Sequence, residues 1–156
     1  MTNPIFADKD YQLWVLLLQT RDMVFTLRRE ELKHYGISPE EAGVLFIIQS
    51  LGENVTPTHI ARWLFRKHHT VLGILSRMEK KQLIRRTKDL KRKNVVMVSL
   101  TERGQQIFYQ STEIDCIHQI MSSLSQTERQ LMRSFLEKMR GRALELINTN
   151  PKPPFP

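Results

Sequence analysis

The chain has a single cysteine, Cys116, which excludes an internal disulfide and a thiolate zinc cage. Glycine is sparse and scattered, at positions 36, 43, 52, 73, 104 and 141, so neither a Walker loop nor a dinucleotide fingerprint is available to cradle phosphates. The longest apolar run, Leu13 to Leu18, is far too short to span a bilayer. No basic segment leads into an apolar stretch and a small-residue cleavage site at the N-terminus. A cytoplasmic location without a membrane partner is expected. Histidine offers little to a metal: His68 and His69 are adjacent and project about 100° apart on a helix. Asp115 with His118, and Glu30 with His34, share helix faces but supply only two ligands each, as solvated surface pairs do. With no nucleophile beside a base and no ligand cluster, no catalytic residue, metal or cofactor is expected.

Acid is scarce where base is dense. Between Arg62 and Lys93 stand twelve Lys or Arg (Arg62, Arg66, Lys67, Arg77, Lys80, Lys81, Arg85, Arg86, Lys88, Lys91, Arg92 and Lys93) against Glu79 and Asp89, a net +10. The remaining 124 residues sum to −2, so the whole +8 excess sits in this one window. A local positive field of this kind meets phosphate, because each neutralised phosphate releases condensed counterions. Double-stranded DNA is therefore the first expected partner. At 156 residues, 40% hydrophobic and 26% charged, the chain fits one domain with a real core.

From Asp8 to Tyr35 the apolar positions Leu13, Leu16, Leu17, Val24 and Leu27 recur at helical spacing, predicting one helix of roughly 28 residues stopped by Gly36. Trp14, Val15, Leu18 and Phe25 widen its apolar surface, as for a helix packed on its own domain and on something else. Ser38-Pro39-Glu40-Glu41 is a capping box, opening a helix to Leu51 whose buried face is predicted as Val44, Leu45, Ile48 and Leu51. Thr56-Pro57 opens a short helix through Ile60, Ala61 and Leu64, and another runs from His68 to Lys81, the spacing of a helix-turn-helix.

In the second of these helices Val71, Ile74, Leu75 and Met78 define the core side. The opposite side presents His69, Thr70, Gly73, Ser76, Arg77 and Lys80, small, polar and basic side chains suited to a major groove. The bland alternative is a solvated amphipathic helix. Two β-type runs, Leu83 to Thr87 and Val95 to Leu100, read as a hairpin with a basic tip carrying Lys91, Arg92 and Lys93, suited to a minor groove or simply to solubility. Ile107, Phe108, Ile114, Ile117, Ile120, Met121 and Leu124 are expected on one further helix. A second capping box, Ser125 to Glu128, starts the last helix, with Leu131, Phe135, Met139 and Leu144, ending about Asn148. The tail, Asn150-Pro151-Lys152-Pro153-Pro154-Phe155-Pro156, is expected to be extended.

The stretch Thr70 to Ile84, a basic hairpin, and then Val98-Ser99-Leu100-Thr101-Glu102-Arg103-Gly104 resemble the MarR family of bacterial winged-helix transcription regulators, and the helix order agrees over nearly the whole chain. The resemblance implies a mainly α fold with a small β-hairpin (α+β): a winged helix-turn-helix over 37–100, with long dimerisation helices over 1–36 and 101–148 and a tail over 149–156. It implies a homodimer reading a pseudo-palindromic promoter site, with room for a small-molecule or redox signal. By position, Thr70, Gly73 and Arg77 match the reading helix, His69 its first turn, and Arg92 and Lys93 the wing. Three departures stand out. The family wing holds two acids and an Arg that stabilise it internally, whereas here only Asp89 matches and Arg92 occupies the second acidic position. Gln82 stands where the family often has Gly, and His68-His69 replaces small or Pro residues.

In such a family an effector lies between the dimer helices and the winged domain, and Trp14, Arg21, His34, Tyr35 and Phe46 are the candidates to line it here. The competing reading is ordinary core and rim. The sequence places no base beside Cys116, and Ile114, Ile117 and Ile120 suggest a packed setting, which weighs against a redox sensor. The leading function is a sequence-specific transcriptional regulator, a repressor in mode, and not an enzyme. The alternatives are a nonspecific or architectural DNA-binding protein and a winged-helix protein-interaction module.

Overall fold

The computed structural model describes residues 4–93 and 95–147; the expected Pro-rich tail and Asn94 of the hairpin tip lie outside them. Helix α1 spans Lys9–Leu32, and the Asp8 carboxylate accepts from the Asp10 and Tyr11 amides at 2.8 and 3.0 Å. The predicted helix to Tyr35 is continuous but tightens into a 3-10 turn over Lys33–Tyr35, and Gly36 ends it at φ +68°, where a side chain would be strained.

Helix α2 (Pro39–Leu51) starts on the predicted capping box: Ser38 Oγ accepts from the Glu41 amide at 3.2 Å and Glu41 Oε2 from the Ser38 amide at 2.9 Å. Its buried face differs from expectation. Val44, Leu45 and Ile48 are buried, but Leu51 is exposed and Ile47 is buried instead. Packing against α1, the helices over Pro57–Leu64 and Glu102–Ser111 and the hairpin covers α2 from several sides, which widens its buried stripe to Ile47, while Leu51 projects beyond that cover at the helix end. Helix α3 (Pro57–Leu64) carries an unpredicted capping box in which His59 Nδ1 accepts from the Thr56 amide at 3.3 Å. Phe65, left-handed at φ 51°, turns the chain into α4 (His68–Lys80).

Strands β1 (Ile84–Asp89) and β2 (Val95–Leu100) pair antiparallel from Ile84 opposite Leu100 to Asp89 opposite Val95. The first strand thus runs two residues further than predicted, to Asp89. Gln82, where the family often places Gly, adopts φ 60° to pass from α4 into β1, a left-handed strain of roughly 1–2 kcal/mol. The core lies in this unit: Leu32, Val44, Leu45, Val55, Ile60, Val71, Leu75, Met78 and Leu83 are fully buried.

The single helix expected from Ile107 to Leu124 is instead two, α5 (Glu102–Ser111) and α6 (Asp115–Met121), followed by α7 (Gln126–Ile147). The break has a cause on α1. Arg28 Nη2 donates to the Ser111 carbonyl at 2.6 Å and Arg28 Nη1 to that of Glu113 at 3.4 Å, while Glu31 accepts from the Cys116 amide at 3.0 Å. One basic and one acidic side chain thereby satisfy three backbone groups at the interruption. Thr101 caps α5 and donates its hydroxyl to the Gln82 carbonyl at 2.6 Å.

Gly104 lies so close to the start of the hairpin that a Cβ there would stand 1.9 Å from the Leu83 carbonyl oxygen, a backbone atom that cannot swing away. Gly104→Ala should therefore destabilise the chain by about 1–3 kcal/mol in urea unfolding; an unchanged midpoint would show that α5 and the hairpin are not in rigid contact.

Candidate nucleic-acid interface

Helix α4 buries Val71, Ile74, Leu75 and Met78, the four residues predicted for its core side. That burial fixes its rotation, so His69, Thr70, Gly73, Arg77 and Lys80 are all exposed. Ser76 differs from these neighbours in being half-buried, with its hydroxyl 3.4 Å from Arg86 Nη2. Arg77 folds back toward Gly73, where a Cβ would sit 3.8 Å from Nη1, so the glycine keeps this stretch of helix low. Lys67, the N-cap residue of α4, makes no side-chain bond to the first turn, and His68, His69 and Thr70 are exposed. Uncapped amides there and small side chains further along suit close approach to a phosphate backbone.

The wing is fastened to this helix. Glu79 Oε2 accepts from Arg86 Nε at 2.9 Å and Nη2 at 2.6 Å, and Oε1 accepts from the Arg86 amide at 3.2 Å. These bonds from Arg86 hold the Glu79 carboxyl below its ordinary value, outweighing its partial burial. Behind the helix Glu41, only 2% exposed, pairs with Lys81 Nζ at 2.8 Å, and the same ammonium donates to the Gly36 carbonyl at 3.0 Å. Lys81 and Arg86 therefore serve the fold, although sequence alone counted them in the positive field.

At the wing tip Asp89 Oδ1 accepts from the Lys91 amide at 2.9 Å and Oδ2 lies 3.7 Å from Arg92 Nε. A single acid thus orders the turn, and Arg92, the departure from the family pattern, becomes its partner. Lys91, Arg92 and Lys93 are all exposed. Beside α4, a cleft of about 500 Å³ between the end of α1 and the start of α2 adds Arg29, Lys33 and Arg66 to Arg77 and Lys81, opposed by Glu40 and Glu41. Arg29 and Lys33 escaped the sequence reading because they lie outside the basic window and join it only through the fold.

The five candidates for an effector cleft are spread out. Trp14 stacks obliquely on Tyr11 at 5.5 Å, and Arg21 binds Asp22 at 2.8 Å while lying over the Phe25 ring. His34 is exposed, Tyr35 packs on the core, and Phe46 is on the outer side of α2. None of the five lines the groove of about 660 Å³ formed by Met121, Met132, Leu136 and Arg140 of α6 and α7 among others. Cys116 Sγ lies 3.0 Å from Glu31 Oε2, and burial together with this carboxylate pushes the thiol up to about 11. Such a thiol is a hydrogen-bond donor and a poor nucleophile.

The MarR family model matches residues 35–92. Among solved structures, the organohalide-sensing transcriptional regulator RdhR-CbdbA1625, in its 2,4-dichlorophenol-bound form, is 33% identical, with a TM-score of 0.87 over 96% of this chain and 90% of that one. Two DNA complexes share the fold: MepR of S. aureus at 23% identity and TM-score 0.71, covering 91% of this chain and 99% of that one, and a mutant MarR from E. coli on operator DNA at 22% and 0.77, covering 82% and 93%. No curated protein sequence matches the chain. Among the described residues no helix is long and apolar enough to cross a membrane.

Two measurements probe these side chains. Because Glu79 is held below its ordinary value, its contribution to wing order is present at neutral pH and is lost as the pH falls through that lowered value. Glu79→Gln should speed hydrogen exchange across the hairpin at pH 7 while leaving α2 protected; equal protection in both proteins would contradict the pairing. At pH 8, iodoacetamide should alkylate Cys116 about 100-fold more slowly than free cysteine, with Glu31→Gln relieving part of the block and burial keeping the rest. A rate like that of free cysteine would mean that the carboxylate does not face the thiol.

Proposed function

This chain belongs to the MarR family of DNA-binding transcription regulators, and on that premise we propose that it acts as a homodimeric repressor of a pseudo-palindromic promoter site. Each protomer lays α4 in a major groove, with His69, Thr70, Gly73 and Ser76 toward base edges and Arg77 and Lys80 toward phosphates or guanines. Lys91, Arg92 and Lys93 take the wing to the flanking minor groove, and the bound dimer blocks the promoter. The observation that carries this reading is the joint one at α4: a helix with its apolar face fully buried and its polar, basic face open, bonded through Glu79 and Arg86 to a basic hairpin.

Dimerisation is supported by apolar surface that one protomer leaves uncovered. On α1, Leu13, Trp14, Leu16, Met23 and Leu27 are exposed, and on α7, Leu131, Phe135, Met139, Leu146 and Ile147. Patches of this extent mark interfaces, and helices at the two ends of the chain suit a shared dimer core. Relief by a small molecule is supported by the organohalide-sensing relative, with Trp14, Arg21, His34, Tyr35 and Phe46 as candidates for a cleft completed by the partner protomer.

Sedimentation at micromolar concentration should give about twice 18.4 kDa, and a well-folded monomer would remove the palindromic reading. At one fixed salt concentration, affinity for the promoter fragment should exceed that for random DNA by about 10³ or more. Equal affinity would leave a nonspecific DNA-binding protein, and no DNA binding would leave a protein-interaction module. Arg77→Ala should weaken binding; unchanged affinity for both DNAs would mean that the other face of α4 is used.

A further inference from the structure

Leu90 is the most exposed large apolar side chain among the described residues, at 85%. Most of the other strongly exposed ones lie on α1 and α7, where a second protomer would cover them, with Phe6 just before α1 and Tyr109 on α5. Leu90 stands at the tip of the wing, at the start of the 3-10 turn Leu90–Arg92, with the less exposed Val95 at the end of the ladder. It is held there: the pair Asp89 and Val95 closes the ladder directly behind it, Asp89 caps the turn through the Lys91 amide, and Lys93 turns the chain back at φ 50°. The side chain serves no core, and around it Lys88, Lys91, Arg92 and Lys93 are all exposed.

One aliphatic group ringed by cations matches the section of a minor groove, which has phosphates along both rims and sugar and base edges between them. It matches a second copy of itself badly, because the rings of charge would repel. We propose that Leu90 is an apolar wedge: on binding, the wing carries it into the minor groove, where it partly unstacks one base step while the surrounding bases hold the two phosphate rims. This deepens the DNA-binding reading above and rests on it. The wing then reads deformability as well as charge. Pyrimidine–purine steps, above all TA, open most easily and are the steps the wedge favours.

The test uses the full chain and a duplex enriched by the wild-type protein from a random pool, with 2-aminopurine replacing the adenine of the TA step under the wing. Binding should raise the fluorescence of that base as it unstacks. Leu90→Ala should abolish the rise and weaken binding about 10-fold. Its salt dependence should stay that of the wild type, because no charge is removed, and Leu90→Met, which keeps an apolar wedge, should restore the signal. Leu90 is outside the core, so these variants should fold, and circular dichroism checks that they do. Tight, sequence-selective binding by the wild type with no rise, or equal affinity and equal rise in Leu90→Ala, overturns the wedge while leaving the regulator reading intact. If no sequence is enriched, that underlying reading fails and takes the wedge with it. Leu90-dependent binding to phosphatidylserine vesicles, with DNA binding unaffected by the substitution, would assign the tip to a membrane surface and likewise overturn the proposal.

Discussion

The burial of one face of α4 is the constraint on which the rest depends. Val71, Ile74, Leu75 and Met78 leave water completely or nearly so, against a core built by α2, α3 and the hairpin. Removing four such side chains from water is worth several kcal/mol, on the order of 1.5–3 each, so the helix cannot rotate about its axis without losing much of the domain's stability. What faces outward is thereby fixed as well. An interface that must meet grooves of set width and depth needs this rigidity before it needs any particular contact.

Around that helix, ionic and close-packed contacts set the angles at which neighbouring parts leave it. Glu41 with Lys81 ties its C-terminal end to the start of α2, and Glu79 with Arg86 ties it to the wing. Pairs as exposed as Glu79 with Arg86 contribute little net stability; their value here is orientation. Gly104 carries the same rigidity onward, pressing α5 against the backbone of Leu83, and Arg28 with Glu31 fixes the elbow between α5 and α6 against α1. Helix α4, the hairpin and the helices α1, α2, α5 and α6 are therefore joined by short, directional contacts.

Much of this was legible in the sequence because it depends on local periodicity and caps. The core side of α4, the Ser38 and Ser125 capping boxes and the hairpin all follow from neighbours a few residues apart. What was not legible depends on distant partners. Nothing near Ser111 or Cys116 announces a helix break, since the groups that stabilise it are Arg28 and Glu31, some 80 residues earlier in the chain. Leu51 looked like core because its spacing is right, yet it lies beyond the cover provided by other elements, and Ile47 is buried by packing that no single stripe encodes. Lys81 and Arg86 looked like part of the DNA-facing charge until the fold gave them carboxylates, whereas Arg29 and Lys33 became neighbours of that charge only through it. A lone leucine in a basic loop has no pattern, so Leu90 carries no signal in the sequence; its meaning lies in its exposure.

The central claim is that two copies of a rigid helix-and-wing unit read one stretch of DNA with two-fold symmetry. Hydroxyl-radical footprinting on a promoter fragment tests it most directly, because it reports groove-by-groove protection without presuming a sequence. Two equivalent protected stretches should appear, related by a dyad and separated by about 10–10.5 base pairs or a multiple of it, with further protection in the flanking minor grooves where the wings fall. Uniform protection along the fragment, or a single patch without a dyad, would contradict it.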